Sequence, residues 1–282
     1  MSEETIARPA VRARRLPRAA LLPLMLSATL VAVALLAPWL APADPLHGSV
    51  LSVLRPPSPE HLLGTDGSGR DLLSRLVFGS RTALLGPLVV VSVSVVIGTA
   101  LGLAAAWHGG WVDAVIGRVL DILFSFPSML LALVLVAVLS PGLITAAVAV
   151  SVSFVPPVAR IVRSVAVREV AAPYVEALYL QGMSSGQILL RHVLGNLWPI
   201  IIAQATLGFG YAMIELAGIS FLGLGVQAPA ADWGVMIDQG QASIVRGFPQ
   251  ESLLSGALLV IAVVSFISLG DSLADRGPDG RR

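Results

Sequence analysis

VEALYLQGMSSGQILLRHVLGNLWP, residues 175–199, is the stretch on which the reading of this chain turns. It can form helix, yet it is too polar to cross a bilayer, and long apolar runs flank it on both sides. Gly182 divides it. Residues 167–181 precede that glycine and can form one helix, despite Pro173 early in it. Residues 184–193 follow and can form a second, with a serine placed to cap its start. A sharp turn between two helices favours a residue without a Cβ. The expected structure is two short helices at an angle, a rigid polar knob between membrane segments.

The flanking sequence sets the solvent. Charged residues make up only 12% of the 282, against about 25% in a typical soluble domain. With mean hydropathy of +0.85, a water-soluble fold could not cover its surface, so much of the chain faces lipid. The net charge of +1 gives no sign of a nucleic-acid partner. The absence of cysteine excludes disulfides, thiolate metal sites and cysteine nucleophiles. Four histidines have no paired spacing, so no metal motif is present.

Six apolar runs lie around the knob. Downstream are residues 197–224 and 253–269. Upstream are 141–159, with Pro156-Pro157 near the end, where a helix bends or stops, and 122–139, interrupted by Pro127. Before them lie a short loop at 108–118 and the run 82–107. Gly98 and Gly102 in that run fit either close helix approach or mere flexibility. The first run, 20–40, is longer than a signal-peptide core, and Ala37-Pro38-Trp39 is a poor cleavage site, so an uncleaved helix is expected.

Arg8, Arg12, Arg14, Arg15 and Arg18 hold the start of that helix in the cytoplasm. Six spans then place both termini and the 160–192 segment inside, with connectors 41–81 and 227–251 outside. Arg55, Arg70, Arg75 and Arg81 weigh against this topology, because the acids beside them contribute little to the bias. The first connector is rich in proline and turns at 64–69; nearby Asp66 and Asp71 lack calcium-loop spacing. Residues 71–78 alternate as a short amphipathic helix suited to the membrane surface. The chain thus divides into a cytoplasmic tail (1–19), a first helix with its external connector (20–81), a five-helix core (82–274) with the knob at about 163–196, and a cytoplasmic tail (275–282).

Glu215 lies within an apolar run, where an acid at mid-helix costs about 2.5–3.5 kcal/mol on insertion scales. It must face protein, water or a pathway; a proton relay would need a second acid or histidine. The Ser125-Phe126-Pro127-Ser128 break and the Phe209, Tyr211, Met213 cluster are pathway candidates beside ordinary helix packing.

Glu176-Ala177, Gly182 and Ile188, followed by His192 and Asn196, resemble the EAA loop of ABC-importer permeases. LGTDGSGRDLLSRLVFGSR (63–81), GGWVDAVIGRVLDILFSFPSMLLAL (109–133), ELAGISFLGLG (215–225) with Trp233-Gly234, and the closing Leu269-Gly270-Asp271-Ser272-Leu273 are similar, in that order, to C-type permeases of oligopeptide, dipeptide and nickel importers. The resemblance implies an all-α membrane protein of the bacterial cytoplasmic (inner) membrane. Its expected form is six transmembrane helices in the type I ABC-importer permease fold, with a cytoplasmic EAA coupling loop.

It implies that Glu176, Ala177, Gly182, Met183, Ile188 and His192 couple to an ATPase. Glu176 would make a positioning contact, while Ala177 and Met183 would pack. It implies a homologous second permease, two ATP-binding subunits or one fused ATPase, and an extracytoplasmic solute-binding protein. The chain itself carries no cofactor, no metal and no catalytic residue; ATP and Mg belong to the partner ATPase. In agreement, a sequence without lysine has no GxxxxGK[ST] phosphate loop. Leu178, Tyr179, Gly186 and Gly195 depart from the family pattern, which bears on the fit of the knob to its ATPase. The implied activity is import of peptides, with nickel or a metal chelate as the alternative cargo. An ion-gradient-driven secondary transporter would need inverted repeats and several intramembrane ionisable groups. A membrane enzyme would need a constellation of nucleophile and base or paired acids, which is not found.

Overall fold

The computed structural model describes residues 18–274. Arg8, Arg12, Arg14, Arg15 and the 275–282 tail lie outside the described residues. Within them the chain is built from helices, with one isolated β-bridge between Thr65 and Asp71. Five helices are long and apolar enough to cross a membrane, and a bent pair makes a sixth crossing if counted as one span.

Helix α1 (Arg18–Leu40) is followed by the proline-rich connector and then by α2 (Leu72–His108), 37 residues long. Asp71 caps α2 by accepting the backbone N–H of Ser74 at 2.8 Å. The separate surface helix expected at 71–78 is therefore the first two turns of α2. Its apolar positions Leu72 and Leu76 are buried against protein rather than resting on lipid, in a core with Leu30, Trp233 and Met236. At the far end Gly109, at φ +59°, stops α2.

The loop expected at 108–118 is also helix. α3 (Gly110–Phe124) and α4 (Ser128–Leu139) meet at 85° around Pro127. Asp113 and Asp121 on α3 pair with Arg163 and Arg160, which draws α3 onto the polar half of the next helix. That helix, α5 (Leu143–Val170), continues through Pro156 and Pro157 instead of ending at 159. Its packing explains why. A Cβ on Gly98 of α2 would lie 2.8 Å from Val158, and one on Gly102 would lie 2.7 Å from the carbonyl of Ala159. Close approach, not flexibility, is what these two glycines permit.

Beyond α5 the chain breaks at Ala171 and Ala172, so 167–181 is two helices rather than one. Pro173 cannot donate into a helix from upstream but suits the first helical position, where it starts α6 (Pro173–Leu180). α7 (Ser185–Gln187), a π-helical turn (Ile188–Val193) and α8 (Leu194–Phe221) follow without a break. Together they form one 37-residue helix, Ser185–Phe221. The second knob helix is thus the start of the fifth span, which begins before residue 197. The second connector carries α9 (Trp233–Ile244), and α10 (Gln250–Ala274) completes the bundle.

Candidate functional site

Three regions along the bundle bring polar groups together. The first is the knob. Val175 and Ile188 are buried with Leu103, Val162, Val193 and Leu197, so an apolar base seats both arms on α2, α5 and α8. Gly182 turns the chain at φ +82°, and Ser184 and Gln187 form a reciprocal capping box at the start of the second arm. The Tyr174 hydroxyl donates to Glu169 at 2.8 Å, and the Asn196 amide donates to the same carboxylate. Burial, and then the Glu169 carboxylate, push the Tyr174 phenol up to about 12. Tyr179 departs from the family pattern, but it has work here. It stacks on Trp107 of α2 with ring centroids 6.4 Å apart, and its hydroxyl hydrogen-bonds Ser185 across the turn at 2.5 Å.

Of the six coupling candidates, Glu176, Ala177 and Gly182 face outward. Met183 and His192 are half-buried, and Ile188 is fully buried, so Ile188 seats the knob from within. Ala177, expected to pack, is exposed because it lies beyond the apolar base that Val175 enters. Leu180 and Leu190 are 85% and 66% exposed on the same structure. Apolar side chains so open at a polar helical turn form a surface suited to another protein.

The second region is a cavity of about 490 Å³ between α2, α5 and α8. Its polar lining comprises Ser94, Ser128, Ser153, Gln204, Tyr211 and Glu215. Ser128, the first residue after the α3–α4 break, donates its hydroxyl to the Glu215 carboxylate. Ser153 donates to the Ser128 carbonyl at 3.3 Å. One residue therefore joins α4, α5 and α8 beside the cavity. The second Glu215 oxygen is buried with no hydrogen-bond partner among the described residues.

The remaining pathway candidates divide. Pro127 precedes α4 and Phe126 is 54% exposed at the break, but neither belongs to the cavity lining. Met213 is only 2% exposed and packs with Trp233 and Met236, while Phe209 lies against Phe266 with ring centroids 4.4 Å apart. Residues 209 and 213 point away from 211 and 215 because two residues are more than half a helical turn. Their grouping as one pathway cluster does not hold.

The third region is at the start of α2. Asp66 accepts from Arg70 at 2.7 Å and lies 3.2 Å from the Arg75 guanidinium. Arg75 also donates to the carbonyls of Pro229 and Pro45 at 3.2 and 3.3 Å, and both arginines reach the Gln239 side-chain oxygen. Glu251 is buried nearby. Two of the four arginines that stood against the topology are thus buried and paired, binding the two connectors together. Sequence reasoning missed this cluster, since no spacing rule links Asp66 to Gln239. Asp232 caps α9, and burial raises its carboxyl above the usual range. Trp233 donates its indole N–H to the Leu76 carbonyl at 3.0 Å and fills the space that a side chain on Gly79 would need. A Cβ on Gly234 would lie 2.4 Å from the Ala217 carbonyl. The separated motifs at 63–81, 215–225 and 233–234 are therefore one packing unit.

A bundle of six crossings with a protruding polar knob and a carboxylate-lined internal cavity is the build of a membrane permease. Residues 98–276 match the family described as binding-protein-dependent transport system inner membrane component. The chain is 38% identical over 256 residues to the dipeptide transport system permease protein DppC of Alkalihalophilus pseudofirmus, covering 91% of this chain and 84% of that one. It is 38% identical over 252 residues to the di/tripeptide transport system permease protein DppC of Pseudomonas aeruginosa, covering 87% and 83%. It is 35% identical over 247 residues to the glutathione transport system permease protein GsiD of Pectobacterium atrosepticum, covering 87% and 82%. A solved chain of the MetNI methionine ABC transporter aligns with a TM-score of 0.58 at 23% identity, over 71% of this chain and 94% of that one, and shares the fold. This chain belongs to the binding-protein-dependent transport system inner membrane component family. It is a multi-pass inner-membrane permease subunit with the type I ABC-importer fold.

Proposed function

We propose that this chain forms half of the translocation pathway of an ATP-driven importer for short peptides. A homologous second permease supplies the other half. Two ATP-binding subunits, or one fused ATPase, carry the ATP and Mg chemistry, and an extracytoplasmic solute-binding protein delivers cargo. Both termini lie in the cytoplasm, as does the knob; the connectors lie outside and form a docking face. The names of relatives that carry dipeptides, di- and tripeptides and glutathione (itself a tripeptide) favour peptide cargo over nickel.

The observation that carries this reading is the Glu176–Gly182 turn: exposed on its outer side, seated on a fully buried Ile188, and continuous through Ser185–Phe221 with the helix that bears Glu215. Closure of an ATPase on that turn moves the cavity wall through the helix that starts at Ser185. Glu176 makes the outward polar contact, Gly182 holds the turn, and Ala177 and Met183 complete the contact surface. Tyr211 and Glu215 line the pathway, and the Ser128–Glu215 bond, beside Phe126 and Pro127, acts as a latch between α4 and α8.

The test is uptake of labelled dipeptide into proteoliposomes holding the whole importer. Uptake should require ATP and survive an ionophore. Glu176→Arg and Gly182→Pro should abolish uptake while ATP hydrolysis persists and the subunit remains in the membrane. Uptake driven by an ion gradient without ATP, or normal uptake by both variants, would falsify this reading.

A further inference from the structure

A second groove, of about 420 Å³, shares no lining residue with the Glu215 cavity. Val31 and Leu35 of α1, Leu85 and Leu88 of α2, Phe209 of α8 and Phe266 of α10 make its walls apolar. Arg81 is the exception. It is exposed on the groove and forms no hydrogen bond or ion pair among the described residues. Arg70 and Arg75, a few turns earlier on the same segment, share Asp66; no acid lines this groove.

Depth along the helices argues for a particular occupant. Arg81 is about 14 Å along α2 from Leu72, and Leu35 is about 8 Å from the end of α1, at 1.5 Å per residue. An arginine at that level, with a long flexible stem, reaches toward the headgroup plane while its stem lies on apolar surface. An unpaired charge among apolar walls is expensive in hydrocarbon and is expected to find a counter-charge. The planar guanidinium fork matches a phosphate, and the branched and aromatic walls match an acyl chain. The groove carries one positive charge and nothing to offset it, which favours a lipid with net negative charge over a zwitterionic one.

We propose that Arg81 and this groove seat one anionic phospholipid, with its phosphate on the guanidinium and an acyl chain along Leu85, Leu88 and Phe266. The site is independent of cargo and of the coupling reading. It is tested by native mass spectrometry of the intact importer, purified in mild detergent and offered equal amounts of phosphatidylglycerol and phosphatidylcholine. The wild type should retain phosphatidylglycerol by about tenfold over phosphatidylcholine, the size of one charge-assisted pair. Arg81→Gln should erase that preference, and Leu85→Trp, which fills the groove, should reduce retention of both lipids with Arg81 intact. A photo-crosslinker at position 88 in the otherwise wild-type complex should label phospholipid. Unchanged preference in Arg81→Gln overturns the proposal, as does a crosslink that goes to the second permease, which would make the groove a subunit interface.

Discussion

At the start of α2, Arg75 is 0% exposed and its guanidinium meets Asp66, Pro45, Pro229 and Gln239. About 50 Å along the same helix, at 1.5 Å per residue, Trp107 leans on a knob whose Glu176, Leu180 and Gly182 all face outward. The first end pairs Arg70 and Arg75 internally with Asp66 and Gln239, leaving only the Arg75 Nε and one Glu251 oxygen of this cluster without a hydrogen bond among the described residues, and fixes how the connectors meet the bundle. The second satisfies only its base and leaves its outer groups unmade. On the proposed function, cargo reaches one end and force the other, and this asymmetry suits both. A docking face must keep its shape, and a contact surface must be completed by another chain.

The largest expected effect tests the closed end. Arg75→Met removes one partner from a buried charge cluster, a change that costs about 3–5 kcal/mol when one member of a buried pair is lost. The subunit should accumulate poorly, and the melting temperature of the complex should fall by several degrees. Glu176→Ala, at the open end, should leave the melting temperature unchanged. Equal losses in both variants would end the contrast.

A smaller effect belongs to the turn. Gly182 sits at φ +82° with no atom near enough to crowd a Cβ, so Gly182→Ala suffers backbone strain alone, about 1–2 kcal/mol. Uptake should drop more than the melting temperature does, because that strain is relieved by tilting the knob away from its partner. A fall in stability with full uptake would show that the turn is merely structural.

The smallest effect is a titration. Tyr174 sits at about 12 rather than 10.0, first through burial and then through Glu169. The folded chain keeps this proton where an unfolded chain has released it. The resulting stabilisation is complete below pH 10 and is lost as pH rises toward about 12. Glu169→Gln removes the second cause and keeps the first, so the phenol should ionise at lower pH yet still above 10.0. Absorbance at 295 nm, taken as a difference against Tyr174→Phe, reads it. An unmoved titration would separate Glu169 from the knob.

Much of this architecture is legible in residue order. Six apolar runs, Gly182 between two helix-forming segments and Pro127 inside a span all have direct structural counterparts. What escaped depends on partners distant in sequence. The pattern Leu72, Leu73, Leu76, Val77 reads the same whether it meets lipid or Trp233, so the start of α2 looked like a surface helix. Pro156-Pro157 should end a helix in isolation, but the contact of Val158 and Ala159 with Gly98 and Gly102 carries α5 through them. Arg70 and Arg75 read as surface charges because Pro229 and Gln239, which bury them beside Asp66, lie on another segment. Within the pathway, Tyr211 and Met213 differ only in direction around α8, and only packing shows which one meets the cavity.

The unbroken helix Ser185–Phe221 has a mechanical consequence. Ile188 in the knob and Glu215 at the cavity lie about 40 Å apart along one helical segment, at 1.5 Å per residue, with the π-helical turn and Pro199 near its knob end. On the proposed coupling, a tilt of about 5° carried over that length would become a stroke of about 3.5 Å at the carboxylate. The amplitude that this coupling demands of the ATPase would therefore be small, and the gain would come from the length of this segment.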